Sequence, residues 1–260
     1  MSLSRFYIEQ DLTQGRSYTL GKDLAHYLRN VLRLKPGSRV TLFNGQGGEY
    51  LAQIDAIQKR EVSISVIQFE PTNRESQLRL RLGACIVKRD AMDAVIQKST
   101  EMGVHEIQPL IADLTTVSVK SIKQRGEHWR GITISACEQC GRNTLPTLLS
   151  PITTHQWIPD QISDLKLAMD PSGTHSLMEP YADLKGVAQP PGISVLIGPE
   201  GGLSEQELSL AESNGFLTTG LGQRILRADT APVAVLSILQ ARFGDFSSSP
   251  KATRQTSDST

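Results

Sequence analysis

The 260-residue chain predicts an α/β fold in two parts: a small N-terminal β-barrel over residues 1–72 and a mostly parallel α/β domain over 73–246. Three observations support this. Up to residue 72 short strands surround one inserted helix, which suits a small open barrel better than a sandwich. From Leu78 onward strands and helices alternate, the pattern of a parallel sheet covered by helices. Between the two lies Glu70-Pro71-Thr72-Asn73-Arg74-Glu75, a polar stretch with a helix breaker that reads as a linker. Apolar residues make up 38% of the chain, enough for a real core.

In the first part, residues 23–34 carry Leu24, Tyr27, Leu28, Val31 and Leu32 at helical spacing, predicting one buried stripe. Lys35-Pro36-Gly37 stops that helix. Residues 39–43 form a strand, Asn44-Gly45 with Gly47-Gly48 a hairpin turn, and 50–57 and 61–69 two further strands. In the second part, strands are expected at 79–87, 107–111, 165–169, 193–197 and 216–220. Helices are expected at 91–102, 126–141, 205–213 and 230–243. The last is apolar nearly all round, so it is buried on several sides or packs against a partner subunit. The tail, 247–260, is rich in Ser and Thr, has no apolar content of note and is expected to be disordered.

Formal net charge is zero, so any nucleic-acid contact must come from local basic patches. The three cysteines, Cys85, Cys137 and Cys140, do not make a secreted disulfide framework. The N-terminus MSLSRFYIEQDL lacks the basic-then-apolar pattern of a signal peptide, and no apolar run approaches the ~20 residues of a membrane span. A cytoplasmic protein is the expectation.

Two segments carry the chemistry. In Val195-Leu196-Ile197-Gly198-Pro199-Glu200-Gly201-Gly202-Leu203-Ser204 a buried strand enters a Gly/Pro loop, and a helix opens at Ser204 with Glu207 completing a capping box. Ligands of open α/β sheets bind where such loops sit, and glycine lets the backbone approach them closely. The loop is neither a dinucleotide fingerprint nor a P-loop. The second segment, from Leu221 through Gln223-Arg224-Ile225-Leu226-Arg227-Ala228-Asp229-Thr230 to Pro232, joins a strand to the last helix, with Thr230 or Asp229 as N-cap.

Together, GPEGGLS and LGQRILRADTA leading into an apolar helix resemble the knotted SPOUT superfamily of methyltransferases. With the stretch from Gln97 to Val104, that from Ala136 to Asn143, and His26-Tyr27-Leu28-Arg29-Asn30-Val31-Leu32-Arg33, the chain resembles the 16S ribosomal RNA uridine-N3 methyltransferase family almost to Phe246. One departure is Asp229, where that family often has glutamate. The resemblance implies a PUA-like RNA-binding barrel, a deep C-terminal trefoil knot, a homodimer, 16S rRNA in the small subunit as substrate and S-adenosylmethionine as cofactor. Carried over, the cofactor site comprises Leu196, Gly198, Pro199, Glu200, Gly201 and Gly202, then Leu221, Gly222, Ile225, Leu226 and Arg227. Met169 either joins them or serves the core.

Methylating uracil N3 requires removing its proton or stabilising charge on O2 and O4. Arginine suits the second task, with Arg142 the first candidate and Arg227 the alternative. Glu138 is either the base, the group that orients Arg142, or its structural ion-pair partner. His26, Arg29 and Arg33, with Arg5 and Lys35, form either a solvated face or a phosphate-binding patch, extended by Lys88, Arg89, Lys120, Lys123 and Arg125. Cys137 and Cys140 lie in one helix without further ligands, so packing is expected there and no metal.

Overall fold

The computed structural model describes residues 3–118, 122, 125–177 and 192–247, with the side chain of Arg89 outside that description. Two compact units divide the chain. The first comprises Met1–Glu75, Ile96–Ile107 and Ser118–Ser150; the second comprises Ser76–Val95, Gln108–Val117 and Pro151–Thr260. Lys120, Lys123 and nearly all of the predicted tail lie outside the described residues.

In the first unit, strands β1 (Arg5–Tyr7), β2 (Ser17–Leu20), β3 (Arg39–Phe43), β4 (Glu49–Ile57) and β5 (Val62–Glu70) form a sheet in the order β1-β3-β4-β5-β2. Strand β1 runs parallel to β3 and the remaining pairs are antiparallel. Residues of period two (Val40 and Leu42, Ala52 and Ile54, Val62 and Ile64) point inward and are fully buried. Phe6, Ala25 and Leu28 complete that core.

Helix α1 (Lys22–His26) does not continue regularly to Leu34. It passes into a π-helical turn, Tyr27–Val31, in which Leu32 N–H donates to the Tyr27 carbonyl at 3.1 Å. The wider turn rotates each following side chain off the α-helical phase. Leu28 stays buried, but Tyr27 and Val31, expected in the buried stripe, are exposed. Arg33, with φ 54°, ends the turn in the left-handed region.

The other elements are β6 (Arg79–Cys85), α2 (Arg89–Glu101), β7 (Glu106–Ile111), α3 (Gly126–Cys140), β8 (Thr147–Leu148), β9 (Ile152–Thr153), α4 (Thr154–Trp157), β10 (Leu165–Met169), β11 (His175–Ser176), β12 (Gly192–Ile197), α5 (Glu205–Ser213), β13 (Leu217–Gly220) and α6 (Thr230–Phe243). Their sheet has the order β11-β13-β10-β12-β6-β7-β8, with β9 also on β7. Strands β10 and β12 are parallel, as are β10 and β13, β12 and β6, β11 and β13. The α/β class and the mostly parallel sheet are therefore as the alternation of elements predicts. The short elements β8, β9, β11 and α4 carry too few residues to leave a periodic signal.

In the sheet, β13, β10 and β12 are adjacent although the chain visits them in the order β10, β12, β13. Their C-terminal ends consequently open three loops side by side.

Candidate functional site

The loop after β12 begins at Gly198, where an added Cβ would lie 3.0 Å from the Leu203 nitrogen and 3.1 Å from the Gly202 carbonyl carbon. It closes through Gly202 N–H donating to the Pro199 carbonyl at 2.9 Å, with Gly202 at φ +78°. The geometry requires glycine at both ends. Ser204 and Glu207 then form the expected capping box. Glu207 is fully buried, and its carboxylate also accepts from Asp113 N–H and the Thr154 hydroxyl. That carboxylate anchors the start of α5.

Glu207 also belongs to a group with Asp113 and His155 whose potential ligand atoms lie within 4.8 Å of one another. The Asp113 carboxyl is held below its usual range by the Ser204 hydroxyl bond, with His155 adding to the effect. Internal donors thus engage Asp113 and both Glu207 oxygens.

After β10 the chain turns sharply. Gly173 N–H donates to the Asp170 carbonyl, and a Cβ on Gly173 would lie 2.5 Å from the Thr219 backbone. Only glycine lets this turn press against β13. After β13, Leu221 to Asp229 loops into α6, where both Thr230 and Ala231 N–H groups donate to the Arg227 carbonyl. Asp229 occupies the N-cap position but makes no side-chain capping bond, contrary to the capping role expected of it or Thr230. The Thr230 hydroxyl instead donates to the Asp229 carboxylate at 3.2 Å.

These loops enclose a cavity of about 490 Å³, a size typical of small-molecule sites. Met169, Gly198, Pro199, Glu200, Gly202, Leu221, Ile225, Leu226 and Arg227 line it. Three residues placed here by resemblance do not. Leu196 is fully buried in the core with Trp157 and Phe216, because strand alternation sends it to one face and Ile197 to the other. Gly201 faces Leu114, and Gly222 supplies a positive φ of 89° without lining the cavity. Lys88, assigned to the basic patch, lines the cavity instead, and its N–H donates to Glu200 at 3.3 Å.

Sequence reasoning missed Asp170, Pro171, Ile197, Thr219, Arg224 and Asp229 as lining residues, with the small residues Ala91, Ala228 and Ala231. Asp170-Pro171 after a strand is the one local signal that marks its loop. Arg224 and Asp229 stand inside the second segment itself. Thr219 enters through strand pairing.

In the first unit, Arg142 is not free to face a substrate. It is 4% exposed, Nε and Nη2 donate to the Glu75 carboxylate, and Nη1 donates to the carbonyls of Thr100 and Val104. Its carboxylate partner is Glu75, not Glu138. Glu138 accepts from Tyr7 N–H at 3.0 Å, and burial pushes its carboxyl up against the opposing effects of that bond and of Arg5. Arg5 is likewise withdrawn from the expected patch: it donates to Glu49 and Asn143 with its side chain only 14% exposed. His26, Arg29, Arg33 and Lys35 are all exposed. Burial pushes the Cys137 thiol up to about 12 and raises Cys140, so neither is an activated nucleophile.

Residues 74–240 match the RNA methyltransferase domain family, and residues 20–67 match the RNA methyltransferase PUA domain. These matches make the chain an RNA methyltransferase, built as a PUA barrel followed by a mostly parallel sheet with a cavity over the C-terminal ends of its strands. Over 248 residues the chain is 34% identical to ribosomal RNA small subunit methyltransferase E of Buchnera aphidicola subsp. Schizaphis graminum, covering 94% of this chain and 98% of that protein. Two solved structures are similar at 35% identity, each covering 94% of this chain and 100% of its own. One is a methyltransferase from Legionella pneumophila in complex with the cofactor SAM, at a TM-score of 0.87; the other is ribosomal RNA small subunit methyltransferase E from Neisseria gonorrhoeae bound to S-adenosyl methionine, at 0.84. The chain belongs to the ribosomal RNA small subunit methyltransferase E family.

Proposed function

We propose that this protein transfers the methyl group of S-adenosylmethionine to N3 of one uridine in 16S rRNA, within the small ribosomal subunit in the cytoplasm, and that it does so as a homodimer with a trefoil-knotted C-terminal domain. The cavity over the ends of β10, β12 and β13 carries this reading. Its apolar wall (Met169, Ile197, Leu221, Ile225, Leu226) suits an adenine ring and a thioether chain. The turn at Gly198 and Gly202 brings backbone polar groups close to such a ligand. When bound, the cofactor supplies an electrophilic methyl group.

The chain's own residues must then orient uracil and manage its N3 proton. Arg227 and Arg224 line the cavity, and a guanidinium presents several donors in a rigid fork, so they are suited to stabilise charge spreading onto O2 and O4. Asp229, which lines the cavity and leaves its helix uncapped, is suited to take the N3 proton. Arg142 and Glu138 serve the architecture of the first unit in this scheme. The half-buried Val233, Ala234 and Ile238 on α6 supply apolar surface for a second copy.

The test is methyl transfer from labelled S-adenosylmethionine to small subunits lacking the modification, with nucleoside mass spectrometry. The expected product is 3-methyluridine at one site, and a ribose-methylated product would refute the assignment. Asp229→Asn and Arg227→Ala should each lower kcat by about a hundredfold, in the range of lost acid–base or oxyanion groups. Cofactor affinity should change far less for Asp229→Asn.

A further inference from the structure

Two side chains of the barrel's π-helical turn face solvent although their helical spacing in the sequence places them in the buried stripe. Tyr27 is 43% exposed and Val31 57%, while Leu28 between them is fully buried. Nearly half of the surface of this aromatic residue lies in solvent. The ring is nevertheless oriented: it meets the buried Phe6 ring edge-to-face, with centroids 6.2 Å apart and planes at 83°. An ordered, solvent-facing aromatic surface is a preformed stacking platform.

Its surroundings are basic. His26, Arg29, Asn30, Arg33 and Lys35 are exposed, as is Lys22, and Asp23 is the one acidic residue from 22 to 35. Arg33 holds a left-handed backbone at φ 54°, an uncommon conformation for arginine that fixes where its side chain leaves the chain. π-turns occur frequently at functional sites, where the extra residue redirects side chains.

We infer that this turn is a binding site for an unpaired RNA nucleotide, whose base stacks on Tyr27 beside Val31 while Arg29, Arg33 and Lys35 neutralise the flanking phosphates. Phosphate contacts alone would explain the cations but not the exposed ring. Duplex RNA buries the faces of its bases and offers nothing to stack on Tyr27. A single strand or a splayed loop does. The inference rests on the proposed action on RNA and adds a mode of recognition to it.

The experiment uses the full-length protein with Tyr27→Phe, Tyr27→Leu and Arg29→Ala variants. Binding of labelled oligouridylate and of an RNA duplex of equal length is measured by fluorescence anisotropy at several salt concentrations. Urea unfolding confirms that each variant folds; leucine keeps an apolar group against Phe6 while removing the π-face. Tyr27→Leu should weaken oligouridylate binding about tenfold or more without changing its salt dependence, should leave duplex binding unchanged, and should raise KM for methyl transfer with kcat intact. Tyr27→Phe should behave as the parent. Arg29→Ala should instead lower the salt slope by about 0.7.

Wild-type oligouridylate binding by Tyr27→Leu, or an equal loss on duplex, overturns the site. Loss of binding to an acidic protein partner rather than to RNA does so too. A parent that binds oligouridylate through Tyr27 but transfers no methyl group would overturn the proposed reaction and keep this site.

Discussion

Arg142 and Glu49 show how single residues hold the first unit together. The Arg142 guanidinium is buried against one carboxylate and two carbonyls, so its removal strands a charge and two acceptors. Arg142→Met is expected to cost about 3–5 kcal/mol of unfolding free energy, as for other broken buried pairs. Urea denaturation checks this; unchanged stability with a collapsed kcat would return Arg142 to the chemistry. Glu49 receives Arg5, Arg74 and Asn143. Burial alone would raise its carboxyl, but the Arg74 and Arg5 bonds outweigh that and hold it at about 2, below its ordinary 4.5. A depressed carboxylate stabilises the fold fully above its unfolded value and loses that contribution as pH falls through the folded one. Unfolding followed from pH 5 to pH 2 should therefore show a steep acid limb that Glu49→Gln flattens.

At the scale of elements, the loops over the sheet depend on close backbone approach. A methyl group at Gly198 must displace Leu203, and one at Gly173 must displace the Thr219 backbone. Gly198→Ala and Gly173→Ala should each weaken S-adenosylmethionine binding by about tenfold or more, a shift of about 1.4 kcal/mol, measurable by calorimetry. Wild-type affinity in both would mean that the cavity walls yield freely. Some elements were legible and others were not. The box at Ser204 and Glu207 and the span of α5 follow from local spacing. The box at Thr153 and Gln156 escaped notice because α4 is a single turn. The π turn was illegible because Leu24, Leu28 and Val31 fit an α-helical stripe as well; the barrel core, not the pattern, selects Ala25 and Leu28 for burial.

For the whole molecule, α6 joins the cavity to the apolar surface proposed for a second copy. Pro232, Val235, Leu236 and Leu239 are buried within the chain, while Val233, Ala234 and Ile238 are only half covered. Ile238→Asp should shift the protein to a monomer in sedimentation equilibrium, because a carboxylate would be desolvated against apolar surface. An unchanged mass would remove this face from the interface. Among the described residues no helix is long and apolar enough to cross a membrane. The sequence by itself determined the α/β class, a helical segment inserted in an N-terminal barrel and two of the three cavity loops, since each is written in contiguous residues whose period or glycine spacing is local. Only the tertiary structure decided that Arg142 belongs to Glu75, that Arg5 is withdrawn to Glu49, that Lys88 and Gly173 shape the cavity, and that Leu196 turns away from it. Those outcomes depend on segments brought together across long stretches of chain, 67 residues for Arg142 and Glu75. No periodicity within a segment encodes which distant donor will reach it.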